Sequence, residues 1–429
     1  MSYQRKMRYL LLICCMLFWA SCKKDDNDPP VVVLLEPTGS TFAYGSIIPI
    51  KFSVSDNANI EEVRVTVRNT ANNQVLNSLV FFTEKNTETF QGEIAFNDVH
   101  VESGAYYIQI IASDGENEGA AIKNIQLQGA PLALEAILGL TDGNSSTTVF
   151  NFAANQWSYA FMLVASPEFS MIDSYDQRLM IAGNSSQGLL AFDAVVGTSI
   201  GQSPGLSIQE SLWEDAQYDD EKRWWWLACN DGSIRAYNTL AVPRIQFNVI
   251  GNFFPHKIAI TDEYIVAACS NINQSVHRLD TYLKSTGQLI HSMVTSSRVD
   301  HLATLSENRI WTYQSNEEMQ QKVYDIAANY QDEWTNFRYA ENGTILKVIK
   351  TSNSIAMLFN DQIKTYSLSG TELSSLNITA TDISFEKLFN QIYAKTSGGW
   401  VLLNANTLAI ANNLEGGETI DHLLFRYNK

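Results

Sequence analysis

The sequence predicts an all-β chain of two folded domains behind an export signal, and three observations predict it. From Val31 to Gln128 the apolar residues recur with period two between turn-forming residues. From Asn151 to Asn404 a polar marker after an apolar strand returns every 37 to 45 residues. The last segment, ETIDHLLFRY, reads as a strand with no sequence left to follow it. Two domains also suit the length, because 429 residues exceed what a single ordinary core accommodates.

Composition narrows the function. A net charge of -17 repels phosphate backbones and anionic membrane surfaces, which argues against nucleic acid as a partner. It favours solubility and long-range attraction for cations or basic partners. Cys14, Cys15 and Cys22 sit in the N-terminal segment, leaving Cys229 and Cys269 in the body, so there is no disulfide framework. These two end the apolar runs RWWWLAC and EYIVAAC, and buried thiols are favoured over a disulfide between them.

Residues 1–22 place Arg5, Lys6 and Arg8 before the apolar run YLLLICCMLFWA and then Ser21-Cys22. That is the order of an export signal, and the run is too short to span a bilayer permanently. Trp19-Ala20-Ser21-Cys22 resembles a bacterial lipobox, although Trp19 stands where Leu, Val or Ile is usual. Residues 23–30, KKDDNDPP, form a charged tether that is similar to the tract after the anchoring cysteine in surface lipoproteins of Bacteroidota. The resemblance implies lipid attachment at Cys22, a signal peptide ending there, and display at the cell surface on the outer membrane. Acyl chains on one cysteine provide the membrane affinity.

In residues 31–128 seven short alternating segments, among them IPIKFSVS, EEVRVTVRN and AYYIQIIAS, are separated by turns such as Pro37-Thr38-Gly39 and Asp114-Gly115. That pattern predicts a two-sheet β-sandwich. GAYYIQIIASDGENEG resembles the penultimate strand and turn of bacterial immunoglobulin-like (Ig-like) and fibronectin-like modules. Asp56, Asp114 and Glu116 invite a calcium reading, yet Asp and Asn in turns usually satisfy the local backbone, and that reading is preferred. The expected role is a spacer.

Residues 132–429 carry the repeat. The markers Asn151, Asp193, Asn238, Asp280, Asp325, Ser367 and Asn404 are separated by 42, 45, 42, 45, 42 and 37 residues, the period of four-stranded propeller blades. Each later marker is preceded by an apolar strand such as DQRLMIAG or DEYIVAAC, and several are followed by a Thr-Gly-type turn into a short polar edge strand. Residues 134–163 supply three strands, and the C-terminal strand supplies the missing fourth, so a seven-bladed β-propeller closed by its C-terminal strand is expected. The region is similar to YVTN-type and quinoprotein-like propellers in architecture; the functional motifs of those families do not carry over.

Counting back along each blade gives the first position of the strand nearest the channel: Ser170, Asp215, His256, His301, Leu346, Asp382 and Asp421-His422. Three of the six histidines fall in this ring, and Asp300, Asp382 and Asp421 add carboxylates. Such a cluster is able to hold a metal or run acid/base chemistry, because imidazole titrates near neutrality and a carboxylate fixes its tautomer. The plainer reading, turn closure and backbone capping, is favoured, since a one-residue slip turns a side chain to the other face. Trp213 and Trp334 lie in the connections entering the same face, as stacking platforms or as packing between blades. The loops there are rich in Asn, Gln, Ser and Asp, which suits a glycan or a polar protein surface.

The function expected from the sequence is therefore a non-catalytic, surface-displayed binding or scaffold lipoprotein, monomeric, with Asp215, His256, His301, Asp382, His422, Trp213 and Trp334 as ligand-binding candidates. No metal site is committed and no cofactor is implied. The alternatives are a glycan lyase or hydrolase using Asp215, His256, Asp300, His301 and His422, and a structural accessory of an outer-membrane complex. Phosphate loops, nucleophile elbows, HExxH and CxxC are missing from the sequence.

Overall fold

The computed structural model describes residues 28–429 except 144, 184–186, 205–211, 315–319 and 334–343. The signal segment, Cys22 and Trp334 therefore lie outside the described residues. Every regular element among the described residues is a strand, and no helix is long and apolar enough to cross a membrane. The chain divides into two compact units, Met1–Pro131 and Leu132–Lys429.

The first unit is built from two sheets. One pairs Val31–Glu36, Ile47–Ser55 and Thr87–Ala95; the other orders Thr41–Ala43, Glu118–Gln128, Gly104–Ser113, Glu62–Asn69 and Val75–Phe82. Alternation decides what they bury: Ile48, Ile50, Phe52 and Val54 point inward from the first sheet to meet Val63, Val65, Ile108 and Ile110 from the second. Phe52 and Phe90 stack at 5.2 Å in this core. The Asp114 carboxylate accepts the Glu116 and Asn117 amides at 2.7 and 2.6 Å, so it closes its own turn.

The second unit is an all-β propeller. Its described residues form seven four-stranded antiparallel sheets, numbered here in chain order from the sheet holding Leu134–Thr141. In sheets two to seven the four strands are consecutive. The first strand is Pro167–Asp173 in sheet two, Trp213–Asp219 in three and Phe253–Ile260 in four. It is His301–Ser306 in five, Ile345–Lys350 in six and Asp382–Glu386 in seven. Each of these lies against the first strand of the next sheet, and the circuit returns to sheet two through His422–Tyr427. The sequence markers lie in the third strand of every sheet; Asp193, Asn238, Asp325, Ser367 and Asn404 end theirs, while Asp280 sits at the middle of His277–Leu283.

Packing between sheets explains the long apolar second strands. Ile355 to Phe359 are all fully buried, because neighbours cover both faces. In Trp224–Cys229 the alternation sends Trp225 into the core shared with sheet two and Trp226 into the core shared with sheet four. Cys229 and Cys269 are free and buried, and burial pushes the Cys229 thiol up to about 12. The outer turns need glycine at two equivalent places: Gly197 and Gly287 have φ of 75° and 70°, and a Cβ would lie 2.5 and 2.3 Å from the rings of Phe161 and Phe247.

Closure is made by the chain ends. His422–Tyr427 pairs antiparallel with Leu134–Thr141, with Leu424 opposite Leu138, and completes sheet one. Tyr427 then ties three sheets together. Its hydroxyl donates to the fully buried Glu386 of sheet seven at 2.6 Å, while its backbone meets Ser174 at 3.0 Å and Gln177 at 2.6 Å beside sheet two. Tyr427→Phe removes one donor from a buried carboxylate that keeps the Leu388 and Phe389 amides at 2.8 Å, and is expected to cost about 1–3 kcal/mol in urea unfolding. Deleting residues 422–429 is expected to abolish the cooperative transition; an unchanged transition would show that closure is dispensable.

Candidate functional site

The strands that begin the sheets converge on a cavity of about 640 Å³. Among its lining residues are Ser170, Asp215, His301, Leu346, Asp382, Asp421 and His422, the ring found by counting in the sequence, with one exception. His256 is not there; Lys257 is. The first strands of sheets two, three, four and six each carry one extra residue, between Pro167 and Phe169, Trp213 and Asp215, Pro255 and Lys257, and Ile345 and Lys347. A bulge re-aims its neighbours, and it does so differently from sheet to sheet: the extra residues Glu168 and Leu346 line the cavity, whereas Glu214 and His256 do not.

His256 instead lines a separate cleft of about 440 Å³ with Glu214, Ser270 and Arg298. Its Nε2 lies 2.9 Å from the Val299 carbonyl, which can only accept, so Nε2 carries the proton. Burial, reinforced by the Arg298 charge, holds its pKa down at about 4. Ser270, which lines the same cleft, places its Oγ 2.8 Å from Nδ1 of His277, directly opposite on the paired strand.

The carboxylates of the cavity are held by lysines that sequence reasoning missed. Lys257 Nζ lies 3.3 Å from Asp215, Lys347 Nζ 2.5 Å from Asp382, and Lys395 Nζ 2.6 Å from Asp421. Each pair crosses from one sheet to the next. Burial raises the Asp215 carboxyl above its usual range despite Lys257 and the Ile258 amide, which donates at 2.9 Å. Asp421 is buried less; against that burial, the Asp142 amide at 2.7 Å and Lys395 hold it below the usual range. The signal for the lysines was present: each is a cation among apolar residues of a strand, as in FFPHKIAI, ILKVIK and QIYAKT.

The remaining candidates separate. His301 Nε2 donates to the Ile345 carbonyl at 3.1 Å, joining sheets five and six, and burial lowers its pKa. His422 Nε2 lies 3.1 Å from Asp142. Asp300 pairs with Arg298 at 3.3 Å and is not among the cavity-lining residues. Trp213 is buried, its indole N–H donating to the Gly183 carbonyl at 2.8 Å, so of the two readings of this residue the structure shows packing between sheets. The polar loops largely serve their own turns: Asp231 accepts the Ser233 amide at 2.9 Å, and Asn271 accepts those of Ser275 and Val276 at 2.8 and 3.1 Å. Among the described residues no group of three or more His, Cys, Asp or Glu side chains is placed to hold a metal ion.

No protein-family model and no curated protein matches the chain. Among solved structures it is similar to BamB from Moraxella catarrhalis, with 16% identity and a TM-score of 0.43 over 68% of this chain and 90% of that one. It is also similar to the dihydro-heme d1 dehydrogenase NirN in complex with DHE, with 10% identity and a TM-score of 0.48 over 66% of this chain and 64% of that one. For U3-55K the identity is 9% and the TM-score 0.47, over 64% and 85% of the two chains.

A pH dependence of stability follows from His256 in its separate cleft. Neutral in the fold and ionisable near pH 6.5 when unfolded, it withholds stability as protons are added. Stability present above about pH 6.5 is expected to decline as pH falls to about 4, levelling after a loss of about 3 kcal/mol. Urea midpoints at several pH values check this, and His256→Gln, which keeps a donor, is expected to flatten that part of the profile.

Proposed function

We propose that the chain is a non-catalytic binding protein, lipid-anchored through Cys22 and displayed at the cell surface, in which residues 132–429 form a seven-bladed propeller whose cavity receives a polar ligand. Residues 31–128 are read as an Ig-like sandwich, residues 1–22 as the signal peptide and 23–30 as the tether. Supporting the seven-bladed reading are the seven four-stranded sheets and the closed circuit of their first strands.

One observation carries the choice of binding over catalysis. Three carboxylate–lysine pairs and one histidine of the cavity make bonds that join sheets: Asp215 to Lys257, Lys347 to Asp382, Lys395 to Asp421, and His301 to the Ile345 carbonyl. Groups locked in this way form a rigid, preorganised polar rim, which favours recognition. A general acid and base need instead a pair of titrating groups aimed at a shared point, and His256 and Asp300 are not among the cavity-lining residues. The candidate ligand contacts are thus Asp215, His301, Asp382 and His422.

The mouth is tested by filling it. Ser170 lines the cavity, and none of the cavity's ion pairs involves it, so Ser170→Trp obstructs the space while leaving those pairs intact. In a folded variant, affinity for a ligand found on glycan or peptide panels is expected to fall at least about tenfold. Unchanged affinity would exclude the mouth as the recognition surface. Anchoring is tested separately: Cys22→Ser is expected to move the protein from the membrane fraction into the soluble extract.

A further inference from the structure

We propose that the occupant of the cavity is a cationic segment of a protein partner, presenting Lys or Arg side chains to the mouth. This rests on the reading of the cavity as the recognition site and specifies what that site selects.

The lining decides the sign of the guest. Five carboxylates, on Asp142, Glu168, Asp215, Asp382 and Asp421, face three ammonium groups, on Lys257, Lys347 and Lys395. Each ammonium group lies within 3.3 Å of a carboxylate, so its charge is already spent locally. His301 adds none at neutral pH, because burial lowers its pKa. The mouth is therefore a negative concavity on a chain of net charge -17, and both the local and the long-range field draw positive groups toward it.

The lining also decides between classes of macromolecule. A sugar ring is commonly held by an exposed aromatic face, and Phe169 is the one aromatic side chain among the cavity-lining residues described. Trp213 is buried and hydrogen-bonded. A guanidinium or ammonium group needs no such platform; it needs carboxylate oxygens, and Asp142 and Glu168 are the two lining carboxylates outside the cross-sheet lysine pairs. The cavity of about 640 Å³ is of the size that admits extended side chains from a docked segment.

The probe is acetylated hexalysine, compared with hexaglutamate and maltohexaose, by fluorescence anisotropy on the full-length chain at low and raised salt. Hexalysine is expected to bind, to weaken as salt rises, and to weaken at least about tenfold in the folded double variant Asp142→Asn, Glu168→Gln. The exposed control pair Asp262→Asn, Glu307→Gln is expected to change nothing. Equal weakening in the control pair, or no hexalysine binding, overturns the cationic assignment. Binding of maltohexaose or hexaglutamate that Ser170→Trp blocks also overturns it while leaving the mouth as the recognition site. Hexalysine binding that neither Ser170→Trp nor the cavity double variant weakens overturns both readings.

Discussion

The antiparallel pairing of His422–Tyr427 with Leu134–Thr141 is the constraint on which the second unit depends. Sheet one is complete only when the last strand joins it, and the circuit of first strands is closed only through that same strand. An unclosed array would expose strand edges and one apolar face at each end, both of which invite wrong partners. Tyr427 secures the join by reaching Glu386. A carboxylate buried so fully stands only because donors surround it, here a hydroxyl and two amides. The bond is therefore as much a condition for burying Glu386 as a gain from the closure.

The same principle governs the cavity. Three of its carboxylates, on Asp215, Asp382 and Asp421, each acquire a lysine from the sheet beside them. Asp215 and Asp421 show how the balance varies. Both have a lysine partner and a backbone donor, but Asp215 is buried deeply enough that desolvation outweighs them, whereas Asp421 keeps enough solvent to fall on the other side. Ion pairs that hold the rim together are poorly suited to exchange protons.

Bulges set which side chains the cavity receives. Four first strands insert an extra residue near their N-terminal ends, and of these residues Glu168 and Leu346 line the cavity while Glu214 and His256 do not. The insertion in sheet four carries His256 into its own cleft and presents Lys257 in its place. A histidine that local counting places beside Asp215 thus becomes a neutral, buried donor to Val299, and the electrostatics of the rim change from imidazole-rich to lysine-paired.

By itself the sequence determined the strands, their alternation, the spacing of the third-strand markers and the spare strand at the end, because these depend on residues close together in the chain. Period two writes burial into each strand, and turn residues punctuate it. It also located most of the ring around the cavity, from Ser170 to His422. Only the tertiary structure decided that His256 leaves that ring, that Trp213 is interior, and that Lys257, Lys347 and Lys395 pair with the acids. Those outcomes depend on a one-residue change of register and on contacts between strands tens to hundreds of residues apart, and neither leaves a periodic mark that reading along the chain can detect.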